Sequence, residues 1–280
     1  MKIKIKADEL LIKIRKEKPI IHHLTNWVTI YDCANITKML GASPVMAHAS
    51  EEVAEMAGIA SALVLNIGTL TTGFVEAMKL AAKRANRKGI PVVLDVCGAG
   101  ATKFRDRKSF QLLDSVRINI LKGNVSEIAR IAGRKIRTQG VDASYVAENG
   151  IELARKLAQK RKCTVVITGQ EDIVTDEKET FLVRNGHPLM AHVVGTGCMA
   201  TAVIGAFAAV EKNLSLAAVA GLTCYEIAAE RAVERAQGPA SFKERMFDCL
   251  YHLDPKDVRQ FQRVYHSSRP FLKKKPGAER

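Results

Sequence analysis

Apolar positions along the chain fall into short, β-branched runs that alternate with stretches of helical period, and most runs end at a Gly- or Asn-containing turn. The runs predict strands at Ile20–His23, Pro44–Ala47, Ala62–Ile67, Pro91–Val96, Ile118–Leu121 and Thr164–Thr168. The stretches between them predict helices over Trp27–Leu40, stopped by Gly41, and over Glu51–Ile59, Thr72–Asn86, Asn124–Ile131 and Ala143–Gln159. This alternation implies an α/β chain with a mainly parallel central sheet and helices on both faces. Beyond Gly169 the pattern changes. Asp172–Thr175 and Thr180–Val183 read as a hairpin around the polar turn Asp176–Glu179, and three helical patterns follow at Cys198–Glu211, Ser215–Arg235 and Phe242–Leu250. No fixed-period repeat or Pro/Ser-rich linker divides the sequence, so residues 1–280 are expected to form one domain, with a basic, frayed tail from about residue 267.

Composition supports a packed core: 47% of the 280 residues are hydrophobic and 26% charged, which excludes a fibrous or low-complexity chain. The formal charge of +14 raises the question of a polyanionic partner. Basic residues gather at Lys2, Lys4 and Lys6, between Lys79 and Arg137, and at Lys273–Lys275, but no aromatic side chains interleave them to stack on bases. That pattern is a solvated basic surface rather than a specific nucleic-acid site. Leu189–Val210 carries no Asp, Glu, Lys or Arg and is long enough to span a bilayer, yet His192, Gly195–Gly197 and Thr201 make it a loop feeding a buried helix. Six cysteines lie far apart without metal spacing, and alternating lysines rather than a signal peptide open the chain; reduced thiols and a cytoplasmic location are expected.

Ligands of open parallel sheets bind beyond the carboxyl ends of the strands, and four such junctions are chemically loaded. Gly195-Thr196-Gly197-Cys198 opens a helix, where unpaired N–H groups and the positive dipole end make an anion site and lower a thiol pKa. The alternative is a plain glycine turn with Cys198 as a small buried hydrophobe. Lys122-Gly123-Asn124-Val125-Ser126-Glu127 reads either as a helix-capping box or as a phosphate and Mg²⁺ site. Asp95 ends an apolar strand, so it is expected to meet a cation, a metal or backbone donors. Gly98-x-Gly100 follows it, but Lys103 breaks G-x-G-x-x-G, which argues against a dinucleotide-binding fold. Finally His22-His23-Leu24-Thr25-Asn26, Ala34-Asn35 and the Gly41–His48 run containing Met46 offer polar anchors and a thioether wall for a small molecule. His22 and His23 read equally well as core or surface residues.

Taken together, Thr25-Asn26 with Ala34-Asn35, Gly41–Ala47, Gly98–Thr102, Gly123-Asn124 with Glu127, and Gly195–Cys198 resemble the hydroxyethylthiazole kinase family of the ribokinase-like superfamily, over about residues 8 to 250. The resemblance implies a ribokinase-like three-layer fold and a thiamin-salvage enzyme. It would phosphorylate the primary hydroxyl of 4-methyl-5-(2-hydroxyethyl)thiazole with ATP and Mg²⁺. Carried over by position, Met46, Gly195 and Asn26 would serve the thiazole, Lys122 and Thr168 the ATP, Gly195, Thr196 and Gly197 the anion hole, and Asp95 and Glu127 the metal and phosphates. Cys198 would stand where most ribokinase-like kinases carry the aspartate that takes the acceptor's proton. The family's homotrimer, with the thiazole pocket between subunits, is implied in the same way. Lys122 replaces a usual Arg, Val96-Cys97 a common Pro-Val, and Tyr31 a frequent Asn. Competing readings are a related kinase of hydroxymethylpyrimidine or another small alcohol, a thiazole sensor without catalysis, and a basic nucleic-acid-binding α/β module.

Overall fold

The computed structural model describes residues 1–134 and 143–267, the side chains of 143–149 excepted. Among the described residues ten strands form one sheet: β1 (Lys2–Ile3), β2 (Ile20–Leu24), β3 (Ser43–Val45), β4 (Ala62–Asn66), β5 (Val92–Asp95), β6 (Ile120–Asn124), β7 (Thr164–Thr168), β8 (Asp172–Thr175), β9 (Thr180–Val183) and β10 (Val264–His266). Their spatial order is β1-β10-β9-β8-β7-β6-β5-β4-β2-β3. From β3 to β7 neighbours pair in parallel, while β8, β9, β10 and β1 complete the sheet in antiparallel fashion. Strands β4 and β5 are buried along their whole length, as continuous apolar runs under helices on both faces must be.

One face is covered by α1 (Ala7–Glu17), α2 (Ile30–Leu40), α8 (Thr196–Ala208), α9 (Leu214–Val233), α10 (Pro239–Tyr251) and α11 (Pro255–Phe261). The other is covered by α3 (Val53–Ile59), α4 (Thr72–Lys88), α5 (Lys103–Ser115), α6 (Val125–Ile131) and α7 (Ala143–Arg161). The result is the expected helix–sheet–helix sandwich. Helix α8 is buried on nearly every side, and Gly205 lets it lie directly on β4, because a Cβ there would collide with Val64 Cγ2. No helix among the described residues is long and apolar enough to cross a membrane.

The sequence-read elements shift by a few residues: the helix expected over Trp27–Leu40 is α2 and begins at Ile30, and the strand expected at Pro44–Ala47 is β3 and covers Ser43–Val45. The hairpin turn forms as expected, with Asp176 Oδ1 accepting the N–H groups of Lys178 (2.7 Å) and Glu179 (2.8 Å). Ser267 N–H donates to the Thr180 carbonyl (2.8 Å). The rest of the expected basic tail, with Lys273–Lys275, lies outside the described residues, as does Arg137.

Candidate active site

Polar side chains collect at the carboxyl ends of the parallel strands: Asn26 just beyond β2, Asn66 closing β4, Asp95 closing β5, Lys122 in β6 and Thr168 closing β7. Helix α8 points its N-terminus at them. Its N-cap, Gly195, has φ +94°, and a Cβ there would lie 2.5 Å from Thr29 Cγ2, so both backbone and space demand glycine. Thr196 Oγ1 donates to the Met190 carbonyl (3.1 Å) and Tyr225 Oη to the Thr196 carbonyl (3.0 Å), which pins the turn. The first N–H groups of α8 have no acceptor within the helix, so they and the helix dipole offer a positive rim to an anion.

Cys198 stands in that first turn. Asn26 Nδ2 and Asn66 Nδ2 each donate to its Sγ at 3.3 Å. The amide orientation is forced: Asn26 Oδ1 accepts the N–H groups of Val28 and Thr29 and the Thr29 hydroxyl, all at 3.1 Å, which leaves Nδ2 facing Asn66 Oδ1 (3.0 Å) and the sulfur. Asn66 Oδ1 in turn accepts the Gly68 N–H (2.8 Å). The neighbouring Cys97 side chain, helped by Thr29 and Lys122 against burial and the charge of Asp95, lowers the Cys198 pKa to about 6, whereas Cys97 is pushed well up. Cys198 is thus the group of this site that ionises most readily to a thiolate.

Beside it lies a buried ion pair. Lys122 Nζ donates to Asp95 Oδ2 (3.1 Å) and to the Gly197 carbonyl (3.0 Å), and Thr201 Oγ1 donates to Asp95 Oδ2 (2.6 Å). These bonds tie β5 and β6 to the first turns of α8. Burial pulls the Lys122 pKa down, but Asp95, Cys198 and Glu127 outweigh it and leave it raised. Glu127 forms the capping box of α6: it accepts the Asn124 N–H (2.8 Å) while Asn124 Oδ1 accepts the Glu127 N–H (2.9 Å). Its second oxygen takes the Gly98 N–H at 2.7 Å, joining the glycine turn after β5 to the start of α6. Burial raises its pKa; these backbone donors oppose the shift and Asp95 adds to it. The capping and functional readings of Asn124 and Glu127 are therefore compatible, since the cap is what aims the carboxylate at the glycine turn.

A cleft of about 940 Å³ opens against this constellation, bounded by Thr168, Gly169, Asn124, Thr196, Gly197 and Glu226 among others. Of the expected site residues, Asn26, Asp95, Lys122, Gly195, Thr196, Gly197 and Cys198 are thus linked by direct contacts, Glu127 faces Lys122 and Asp95, and Thr168 lines the cleft. Met46 does not line that cleft; it is partly buried against the core on the sheet face that α8 shares. His22 and His23 are buried in β2, where burial drives the His23 pKa down to about 3 and keeps it neutral, so they belong to the core. Asn66, Thr201 and Thr29 are site residues that sequence reasoning passed over. Asn66 carried the same signal as Asp95, a polar residue closing an apolar strand, whereas Thr201 and Thr29 are ordinary hydroxyls whose role depends on tertiary contacts.

Among the described residues no three His, Cys, Asp or Glu side chains converge as a metal cage. Asp95 and Glu127 are instead two carboxylates near an anion site, the donor set with which Mg²⁺ is held together with phosphate oxygens and water.

The parallel strand ends thus meet a glycine-opened helix start that carries the Cys198 thiol, beside a buried Lys–Asp pair. Likeness in fold alone extends to a ribokinase-like superfamily protein from Enterococcus faecalis, at TM-score 0.61 and 14% identity over 92% of this chain and 99% of that one. Residues 11–256 match the hydroxyethylthiazole kinase family, and the chain belongs to that family. It is 49% identical to the hydroxyethylthiazole kinase of Methanosarcina mazei over 90% of this chain and 96% of that protein. With that of Chloroflexus aurantiacus it shares 46% over 94% and 98%. A solved hydroxyethylthiazole kinase structure from Pyrococcus horikoshii superposes with TM-score 0.86 at 41% identity, covering 93% of this chain and 98% of that one.

Proposed function

We propose that the chain transfers the γ-phosphoryl group of ATP to the primary hydroxyl of 4-methyl-5-(2-hydroxyethyl)thiazole, with Cys198 facing the acceptor oxygen. One observation carries the assignment of roles: the Cys198 sulfur, its anion favoured by two amides, stands in the helical turn that Gly195 opens and whose Thr196 and Gly197 line the cleft. Donor phosphate and acceptor alcohol would meet there at a short distance. Thr168 and Lys122 serve the nucleotide end; Asn26, Gly195 and Met46 serve the thiazole end.

Phosphoryl transfer asks a protein chiefly to align two oxygens and to offset charge on the equatorial ones. The α8 amides do the second task, and Lys122, fixed between Asp95 and the Gly197 carbonyl, adds a point charge. Asp95 and Glu127 would hold Mg²⁺ with the phosphates; bound there, the ion supplies further positive charge. Cys198 accepts the alcohol's proton or holds its hydroxyl in line. Trp27, Val28, Tyr31 and Val194 leave apolar surface exposed beside Asn26 and Gly195, which fits a site completed by neighbouring copies in a homotrimer. A cytoplasmic location belongs to the same reading.

The test is a coupled assay with ATP, Mg²⁺ and hydroxyethylthiazole, run with hydroxymethylpyrimidine as the rival acceptor. Thiazole phosphate is the expected product, and its absence from folded protein defeats the proposal. Cys198→Ala is expected to lower kcat about 10- to 100-fold, less than a full general-base contribution because the transition state is loose. The sign of the pH dependence follows from the lowered thiol pKa: the thiolate prevails above about 6, so the rate falls as pH drops through that value. Cys198→Ala loses that acid limb. An Ala variant with the parental kcat and pH profile removes Cys198 from the mechanism.

A further inference from the structure

The proposed reaction leaves the histidines of β2 unused, and one of them reaches towards the acceptor end of the site. His22 is fully buried, yet its Nδ1 has no hydrogen-bond partner among the described residues. Its Nε2 lies 2.7 Å from the Ala47 carbonyl. A carbonyl can only accept, so Nε2 carries the proton and Nδ1 keeps an unused lone pair. Burial lowers the His22 pKa against the Ala47 bond and the charge of Glu52, so the ring is neutral near pH 7. A buried imidazole with an orphaned nitrogen is costly, because that nitrogen has given up water for nothing. A leucine in the same place would carry no such penalty, so stability alone gives no reason for a histidine here.

The segment that His22 holds is the one that carries Met46. It leaves β3 after Val45, which stands opposite His22 in the β2–β3 ladder. Residues 46–48 form no backbone–backbone hydrogen bond with any described residue. Backbone bonding resumes at Ala49, whose carbonyl accepts the Glu52 and Val53 N–H groups at 3.1 Å. Between those points side chains do the holding. His22 takes the Ala47 carbonyl, His48 Nδ1 lies 3.2 Å from the Met46 carbonyl, and the His48 ring meets Trp27 edge-on, with 4.7 Å between centroids. Trp27 and His48 are exposed, so His22 is the anchor that ties the segment to the interior. The Met46 side chain packs against the same core cluster as Cys198, and a shift of the segment therefore moves Met46 relative to the sulfur.

We propose that His22 is a positioning residue for the acceptor: by latching the Ala47 carbonyl it fixes the Met46 segment as a wall of the thiazole pocket, at the expense of core stability. The proposal rests on the assignment of Met46 to the thiazole. His22 itself touches neither substrate. Without the latch the segment keeps its side chains but loses its fixed pose, and the thiazole meets a wall that must be ordered on binding. The nucleotide end is built on other elements, with Lys122 in β6, Thr168 in β7 and the start of α8, so it is left as it was. The effect therefore falls on one substrate and not on the other.

The experiment compares the full chain with His22→Leu, which removes the donor and keeps apolar bulk, with His22→Gln, which keeps an N–H donor, and with Met46→Ala. Each is read by steady-state kinetics with either substrate varied, by denaturant unfolding, and by hydrogen exchange of peptides covering residues 43–52. His22→Leu is expected to raise the thiazole KM about 10-fold and to leave the ATP KM and kcat within about twofold of the parent. It should speed exchange over residues 46–49 and unfold at the same denaturant concentration as the parent or a higher one. His22→Gln should recover most of the thiazole KM. A Leu variant that loses stability or fails to fold overturns the proposal, because His22 is then a structural residue, and so does one that raises both KM values alike. Met46→Ala separates the latch from the reading on which it rests. If Met46→Ala raises the thiazole KM and His22→Leu does not, the latch fails. If neither raises it while exchange over 46–49 is faster, the positioning role falls with the assignment of Met46.

Discussion

One added methyl group at Gly195 puts the construction of the α8 start under test. Alanine there must hold φ near +94°, which costs an L-residue about 1–2 kcal/mol. Its Cβ would also lie 2.5 Å from Thr29 Cγ2 and 3.2 Å from Thr29 Cβ, and overpacking of this kind adds about 1–3 kcal/mol. The two effects sum to about 2–5 kcal/mol of lost stability for Gly195→Ala. Thr29 cannot yield without consequence. Its hydroxyl and N–H both bond to Asn26 Oδ1 at 3.1 Å, and the Asn26 amide holds Cys198. A shift at Thr29 is therefore carried to the Cys198 sulfur, and, with Cys198 in the proposed role, a displacement of about 1 Å is enough to lower kcat about 100-fold. Chemical denaturation and initial rates of thiazole phosphorylation read the two effects separately. Thr29→Ser removes the colliding methyl and keeps the hydroxyl, so Gly195→Ala/Thr29→Ser should regain about 1–3 kcal/mol and part of kcat, while the backbone strain persists. Additive single-variant effects would show that the collision is not the cause, and a Gly195→Ala chain with parental stability and rate would refute the whole account.

Two further outcomes rest on buried charge. Asp95→Asn strips Lys122 of its counter-ion and should cost about 3–5 kcal/mol in denaturant unfolding, with Asp95→Asn/Lys122→Met less unstable than the single variant; equal losses would mean that the pair is not coupled. Asp172 and Glu226 are buried side by side, and burial raises both pKa values, Glu226 well above its ordinary value, with Asp172 and Glu230 adding to the effect and Arg263 opposing it. A carboxyl whose folded pKa is raised contributes stability that is whole below the unfolded value of about 4 and is lost as pH rises through the folded value. Glu226→Gln should therefore raise the thermal midpoint relative to the parent by a margin that widens between about pH 5 and about pH 8, and a constant margin would contradict the buried-proton reading.

The parallel half of the sheet was legible because its strands are continuous apolar runs that end at glycine or asparagine. The ends of the chain were not. Strands β1 and β10 are short and pair residues at opposite ends of the sequence, with Lys2 opposite Tyr265, and no local pattern announces a partner so distant. Helix α5 was missed because nearly half of Lys103–Ser115 is charged and it buries Leu112 and Leu113 with few other apolar residues, so the period is nearly invisible. Helix α1 did carry a readable period in Ala7, Leu11 and Ile14, hidden among lysines. At the site, residue types at strand ends pointed to Asp95, Lys122 and Cys198, but two facts were out of reach. Which charge Asp95 meets depends on β5 and β6 lying side by side, and the orientation of the Asn26 amide depends on Thr29.

That pairing also bears on how the centre handles a triphosphate. Lys122 is shared between Asp95 and a carbonyl, so the charge it offers phosphate oxygens is partly offset. Arg184, on the wall of the cleft, is held by Glu171. Glu127 and an ionised Cys198 add negative charge near Lys122. With its own side chains so nearly balanced, the site is left with the α8 amides as its main source of positive field. This also accounts for lysine at position 122, where the resemblance led to an expectation of arginine. The ammonium reaches the Gly197 carbonyl only because residue 197 lacks a Cβ, which would lie 3.0 Å from Nζ. A planar guanidinium needs more room than that turn leaves, so the compact cation and the glycine form a matched pair.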